Sequence, residues 1–283
     1  MPSLTTADGR TLHWSQRGSG EPLLCHPGGP GSSARYFGDL AELAEERSLL
    51  LLDPRGTGAS DRPADPSAYD LADYAADVET VREYVGLERL DLLGHSHGGF
   101  VAMAWAGDHP DCVGRLILAS TAPRFTDAIR AARMQQVAEH RGQPYFEDAI
   151  AALQAHQAGE YETDEELAEL YRRESVLFAR PGADLSEHYG ALVPAGTNAD
   201  ALRHFNDHVA GDMDLRAGLA GVDAPTLVIT GDIDAMGAPA ADELLEALPN
   251  GTLATIEGAD HFPFLEAKHR PQWSQAVLDF LAA

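Results

Sequence analysis

Apolar residues in this chain fall into short unbroken runs that alternate with amphipathic stretches. "PLLCH", "SLLLLD", "RLDLLG", "RLILAS", "PTLVITG" and "GTLATIEG" have the length of buried strands and are punctuated by Gly, Pro or Asp. Between them the spacing predicts helices over residues 35–46, 71–85, 100–108 and 240–248, with a closing helix over 271–281. "SLTT" and "RTLHWSQ" flank the turn "ADGR" as an opening hairpin. Strands separated by helices predict an α/β fold, with a mostly parallel sheet flanked by helices on both faces.

One interval departs from the alternation. Residues 124–213 carry helical pattern interrupted at "GQP", "AGE", "ARPG" and "VPAG", with no strand signal. The interval is too long for a connection and too regular in its apolar spacing for disorder. It reads as an all-helical cap, inserted into a core made of residues 1–123 and 214–283.

Composition narrows the picture modestly. A chain of 283 residues, 44% hydrophobic and 23% charged, can bury one large core. No apolar run has bilayer length, and "MPSLTTADGRTLHW" lacks the basic and apolar regions of a signal peptide, so a cytoplasmic protein is expected. Cys25 and Cys112 make no disulfide framework, and no Cys/His spacing suggests a metal. The net charge of −25 repels nucleic acid and anionic membranes, leaving a small molecule or short peptide as the expected partner. Oligomeric state is not legible.

The chemistry gathers around "LLGHSHGGF". Gly94 to Gly98 reads G-x-S-x-G, after the strand-like "ERLDLL" and before the helix-like "FVAMAWAGDHP". That context makes Ser96 the expected nucleophile on a sharp turn. A serine needs a base that an acid orients. "LVITGDIDAM" offers Asp232 and Asp234 at one strand end, and "LATIEGADHFPF" offers His261 past the last strand. The order Ser, Asp, His matches a known triad order, and strand carboxyl ends are where open α/β sheets build sites. Asp234 is preferred, because Asp232 directly follows Gly231 in the strand's exit turn. Asp260, adjacent to His261 in sequence, is badly placed to face it. His95 and His97 are expected to line or floor the pocket. An oxyanion needs preorganised N–H donors: one from His97 at a helix start, another from the glycine-rich "HPGGPGSS". No cofactor is implied.

These residues resemble a known family. "HPGGPGSS", "LLDPRGTGASDRP", "GHSHGG", "TGDIDAM" and "GADHFPF" are similar to motifs of α/β-hydrolases of the prolyl aminopeptidase (proline iminopeptidase) type. The resemblance implies an α/β-hydrolase fold, an acyl-enzyme on Ser96 and release of an N-terminal residue. It also implies that Gly29 gives the second oxyanion amide and that residues 53–60 form a structural loop around Arg55. Two features depart from the family: a proline follows His26 in its HGGPG, and His97 replaces the tryptophan after the nucleophile. Acidic cap residues receive the substrate amine in such peptidases. "LYRRES" and "LSEHYG" loosely resemble those segments and nominate Glu174 and Glu187, with His26 a further substrate-side residue. An esterase, amidase or thioesterase acting on a small-molecule acyl group stays open, as does a hydrolase-fold biosynthetic enzyme or binding protein.

Overall fold

The structure is a computed structural model that describes residues 2–182 and 197–283. All the expected strands form: β1 (Ser3–Thr5), β2 (Thr11–Arg17), β3 (Pro22–His26), β4 (Ser48–Asp53), β5 (Leu90–His95), β6 (Val113–Ala119), β7 (Thr226–Gly231) and β8 (Gly251–Ile256). They make one sheet in the order β1-β2-β4-β3-β5-β6-β7-β8. β1 and β2 pair antiparallel, as do β2 and β4, and every other neighbouring pair is parallel.

The central strands are buried on both faces, and the period of two sorts their side chains. Leu92, Leu116, Leu118 and Val228 join Val78, Val101, Trp105 and Leu244 in one apolar layer. That layer is built by α1 (Leu71–Val85), α2 (His97–Asp108) and the later helix Gly237–Ala247. Leu93, Ile117, Leu227 and Ile229 point the other way, onto Phe37, Leu40, Trp273 and Val277.

The expected helix over residues 35–46 does not form. Two 3-10 turns, Ala34–Phe37 and Leu43–Glu45, are joined through Leu40, Ala41 and Glu42 at φ of +50°, +54° and +72°. A left-handed residue costs roughly 1–2 kcal/mol. Full burial of Leu40 and Leu43 offsets this, at roughly 1.5–3 kcal/mol per side chain. Asp39, just before these three residues, accepts from Arg270 of the last helix at 2.8 Å.

Between β6 and β7 the described residues form helices and no strand. These include α3 (Asp127–Glu139), α4 (Phe146–Gln157), α5 (Asp164–Glu174), α6 (Ala199–His204) and α7 (Arg216–Leu219); α8 (Gly237–Ala247) follows β7 and α9 (Arg270–Ala282) follows β8. Thr163 and Glu166 start α5 with a reciprocal capping box. Ala152 of α4 packs on Leu167 and Leu170 of α5. The helical segment is tied to the sheet by Asn198, whose amide donates to Gly56 O at 3.0 Å and to the Tyr69 hydroxyl at 2.8 Å. Beneath, buried Arg55 donates to Asp77 at 2.7 Å and to Ala68 O at 2.6 Å, which fixes the loop after β4. No helix among the described residues is long and apolar enough to cross a membrane.

Candidate active site

The chain runs from β3 to β4 on one side and later places β5 on the other, so the loops after β3 and β5 diverge. A crevice opens at such a reversal. It is a cavity of about 260 Å³, walled by Gly28, Gly29, Ser96 and His261 from the sheet side and by His156, Tyr171 and Phe178 from the helical segment.

Ser96 sits between β5 and α2 at φ +54°, ψ −119°, a region that a side chain rarely tolerates. Its own N–H donates to Ala119 O at 2.9 Å, and its carbonyl accepts from the Thr121 hydroxyl at 2.8 Å and Gly99 N–H at 2.9 Å. The sharp turn leaves no room beside it. A Cβ on residue 94 would lie 2.2 Å from Gly98 O, and one on residue 98 would lie 2.2 Å from His26 O. Both glycines of the motif are therefore steric requirements.

His261 Nδ1 donates to Asp234 Oδ1 at 2.9 Å. Asp234 is buried; burial alone would raise its pKa, but His261, the Met236 N–H and the hydrogen bonds it accepts hold it down at about 2. Thr230 Oγ1 adds a donor at 3.1 Å and Met236 N–H one at 3.0 Å. Asp232 turns away and accepts from Gly258 N–H at 2.7 Å. Asp260 is buried against Glu266, and its carboxyl is pushed up to about 7 by burial and by that neighbour's charge. Of the three candidate acids, the structure brings Asp234 to the His261 ring.

His97 opens α2, where backbone amides lack helical acceptors and the dipole favours an anion. Gly29, at φ +116°, lines the cavity opposite. The neighbouring Gly28 N–H is occupied, donating to the Tyr36 hydroxyl at 2.6 Å.

The histidines separate by position. His95 reaches the cavity wall, while His97 and His26 do not. The His97 ring packs among Tyr74, Phe100 and Phe205 at 5.3, 5.9 and 5.1 Å. His26 Nδ1 donates to Pro27 O at 2.9 Å, and the ring stacks edge-on to Tyr74. The β3 register with Gly94 sends this side chain beneath the elbow, so His26 is not a cavity residue. Burial holds His95 at about 3 and His26 at about 4, and lowers His97 well below the usual histidine range.

Glu174 is fully buried and does not line the cavity. Its Oε1 accepts from Nδ1 of His156 at 2.8 Å, and His156 is the group that meets the cavity. Glu187 lies outside the described residues. Sequence reasoning missed Tyr36, His156 and Gly237. Only Gly237 carried a local signal, a glycine three residues after Asp234, where a Cβ would lie 2.7 Å from Asp234 Oδ2. Among the described residues no cluster of His, Cys, Asp and Glu could hold a metal ion.

A parallel sheet reversed at β3, a strained serine on the strand–helix turn and a buried His–Asp pair define an α/β hydrolase. The family profile described as alpha/beta hydrolase fold matches residues 21–268, and the chain belongs to that family. Its sequence is similar to proline iminopeptidases. That of Clostridium botulinum is 28% identical over 267 residues, covering 89% of this chain and 87% of that protein. That of Lactobacillus delbrueckii subsp. bulgaricus is 29% identical over 271 residues with the same coverage. In fold it resembles an alpha/beta fold family hydrolase from Bacillus anthracis, with TM-score 0.77, 22% identity and 99% and 98% of the two chains covered. An esterase from Rhodococcus sp. ECU1013 also has TM-score 0.77, at 22% identity with 100% and 98% covered.

Proposed function

We propose that the protein is a serine hydrolase that works through an acyl-enzyme on Ser96 and, like the proline iminopeptidases it resembles, releases the N-terminal residue of short peptides. The observation that carries the chemistry is the buried 2.9 Å hydrogen bond from His261 to Asp234 beside the strained elbow. With Nδ1–H committed to Asp234, the other ring nitrogen of His261 is free to take the Ser96 proton as Oγ attacks the scissile carbonyl carbon. The developing oxyanion is received by the amides of His97 and Gly29. His261 then returns the proton to the leaving nitrogen, the C–N bond breaks, and the acyl-enzyme forms. Water enters by the same route: His261 takes its proton as the water oxygen attacks the acyl carbon, the ester bond to Ser96 breaks, His261 returns the proton to Oγ, and the acid is released.

The similarity to curated proline iminopeptidases over most of the chain supports an aminoacyl substrate. A second reading, an esterase for an uncharged acyl group, is favoured by the cavity wall. Among the described residues no carboxylate lines it, and Tyr171, Phe178, Leu202, Phe205 and Phe262 make it largely apolar. The test has two stages. A fluorophosphonate probe should label Ser96 and leave the Ser96→Ala protein untouched. A panel of proline arylamides, other aminoacyl arylamides and simple aryl esters then separates the readings. Cleavage of esters alone would remove the peptidase and leave the esterase.

A further inference from the structure

Three parts of the site come from distant stretches of the chain: the glycine loop after β3, the nucleophile turn after β5 and the histidine loop after β8. A buried chain of hydrogen bonds connects them. Gly28 N–H donates to the Tyr36 hydroxyl at 2.6 Å, that hydroxyl lies 2.8 Å from His95 Nδ1, and His95 Nε2 lies 3.0 Å from the carbonyl oxygen of His261. Tyr36 and His95 are 3% and 1% exposed, so the links between them are made inside the protein.

The protons in this chain have one consistent arrangement. A carbonyl only accepts, so His95 Nε2 must carry a hydrogen to meet His261 O. The buried ring is neutral, which leaves Nδ1 as an acceptor. Tyr36 therefore donates its single hydroxyl proton to Nδ1 and takes the Gly28 N–H on a lone pair. Every donor has an acceptor, and reversing one bond would strand another inside the core, at a cost comparable to a lost hydrogen bond.

We propose that Tyr36 and His95 are positioning residues that hold the oxyanion loop and the backbone of the catalytic histidine in register with Ser96. This rests on the serine-hydrolase reading. Because the Gly28 amide is fixed by Tyr36, the next peptide, which carries the Gly29 N–H, is aimed at the cavity. Because the His261 carbonyl is fixed by His95, the imidazole can turn only about its side-chain bonds, and Asp234 sets those. Neither residue exchanges a proton with substrate. His95 is also the residue preceding the nucleophile, so a single backbone segment carries both Ser96 and the anchor for its base. Packing holds the relay rigid: Tyr36 lies 4.6 Å from Phe37, and His95 lies 5.0 Å from Phe264, between ring centroids.

The test uses the intact protein. Tyr36→Phe keeps the ring and removes the hydroxyl. It should lower kcat about 10- to 100-fold, with KM changed less than about threefold, because geometry rather than binding is lost. His95→Gln, which offers both a donor and an acceptor, should retain about 10-fold more kcat than His95→Leu, of similar bulk. Nitrogen-15 shifts of wild-type His95 should report a neutral ring protonated on Nε2, and Tyr36→Phe should abolish that single tautomer. A wild-type ring protonated on Nδ1 would overturn the proposal even if both variants failed to fold. So would unchanged kcat in Tyr36→Phe, or equal loss in the Gln and Leu variants, while fluorophosphonate still labels Ser96. Absence of labelling in the wild type would instead strike the serine-hydrolase reading, and the tautomer measurement would still decide the relay.

Discussion

His261 gives its Nδ1–H to Asp234 at 2.9 Å, while Asp232, two residues earlier, spends its carboxylate on the Gly258 amide at 2.7 Å. Two aspartates of one short loop thus hold different parts of the same turn: one orients the imidazole, the other shapes the backbone that carries it. Asp234→Asn should lower kcat by about 10⁴, through the wrong histidine tautomer, as in triads generally. Asp232→Asn should change it by less than about 10-fold, because an amide oxygen still accepts from Gly258. Steady-state rates of the two purified variants decide this, and a larger loss in Asp232→Asn would reverse the assignment.

Ser96, the proposed nucleophile, sits in a strained backbone. Ser96→Ala should abolish turnover, by about 10⁴-fold or more, with the fold retained. Ser96→Gly should be equally inactive yet more stable than wild type, by about 1–3 kcal/mol, because glycine accepts φ +54° without a Cβ penalty. Thermal melts of the three proteins test the second statement, which fails if glycine leaves Tm unchanged or lower.

Acid should unfold this protein early. His26, His95 and His97 are kept neutral by burial when folded, so their folded pKa values lie below the unfolded value of 6.5. Below that pH the unfolded chain binds protons the native one refuses, and stability falls. Each such histidine costs about 1.4 kcal/mol per pH unit, down to its folded value. Asp234 acts in the same direction later: its depressed pKa stabilises the fold above 3.8, and that contribution disappears as pH falls toward about 2. Tm should therefore decline from pH 6.5 to pH 4, and His97→Phe should make the decline shallower. A flat Tm between pH 7 and pH 5 would contradict this.

The pair of Glu174 and His156 discriminates the two substrate readings. If a substrate amine is received in the cavity, Glu174 supports it through His156 at 2.8 Å. Removing that buried charge should then cost roughly 2–5 kcal/mol. Glu174→Gln should lower kcat/KM for proline arylamides by at least about 30-fold and leave uncharged aryl esters within about threefold. Equal losses on both substrate types would make the pair a structural brace of α4 and α5.

The parts legible in the sequence are those written by neighbours along the chain. Five buried strands, β3 to β7, announce themselves as apolar runs, because a strand covered on both faces needs no polar positions; the sixth run, β8, forms the sheet edge and stays largely exposed, contrary to its apolar pattern. The turn at Ser96 is legible because Gly94 and Gly98 are demanded by contacts of 2.2 Å within a few residues or one strand away. The order of Ser96, Asp234 and His261 follows from their places at strand ends. The choice of Asp234 also had a local basis, since Asp232 leaves the strand too early to turn into the loop. Tertiary structure decided the rest. Residues 35–46 have helical spacing, yet burying Leu40 and Leu43 under the sheet outweighs that local preference. Tyr36 and His95 are 59 positions apart, and His95 and His261 are 166 apart. His156 and Glu174 are separated by 18, on two helices. No periodicity records such pairs, because a buried polar group is satisfied by whichever chain segment the fold brings to it. Pattern along the sequence reports which residues are buried, and only the packed structure settles which of them meet.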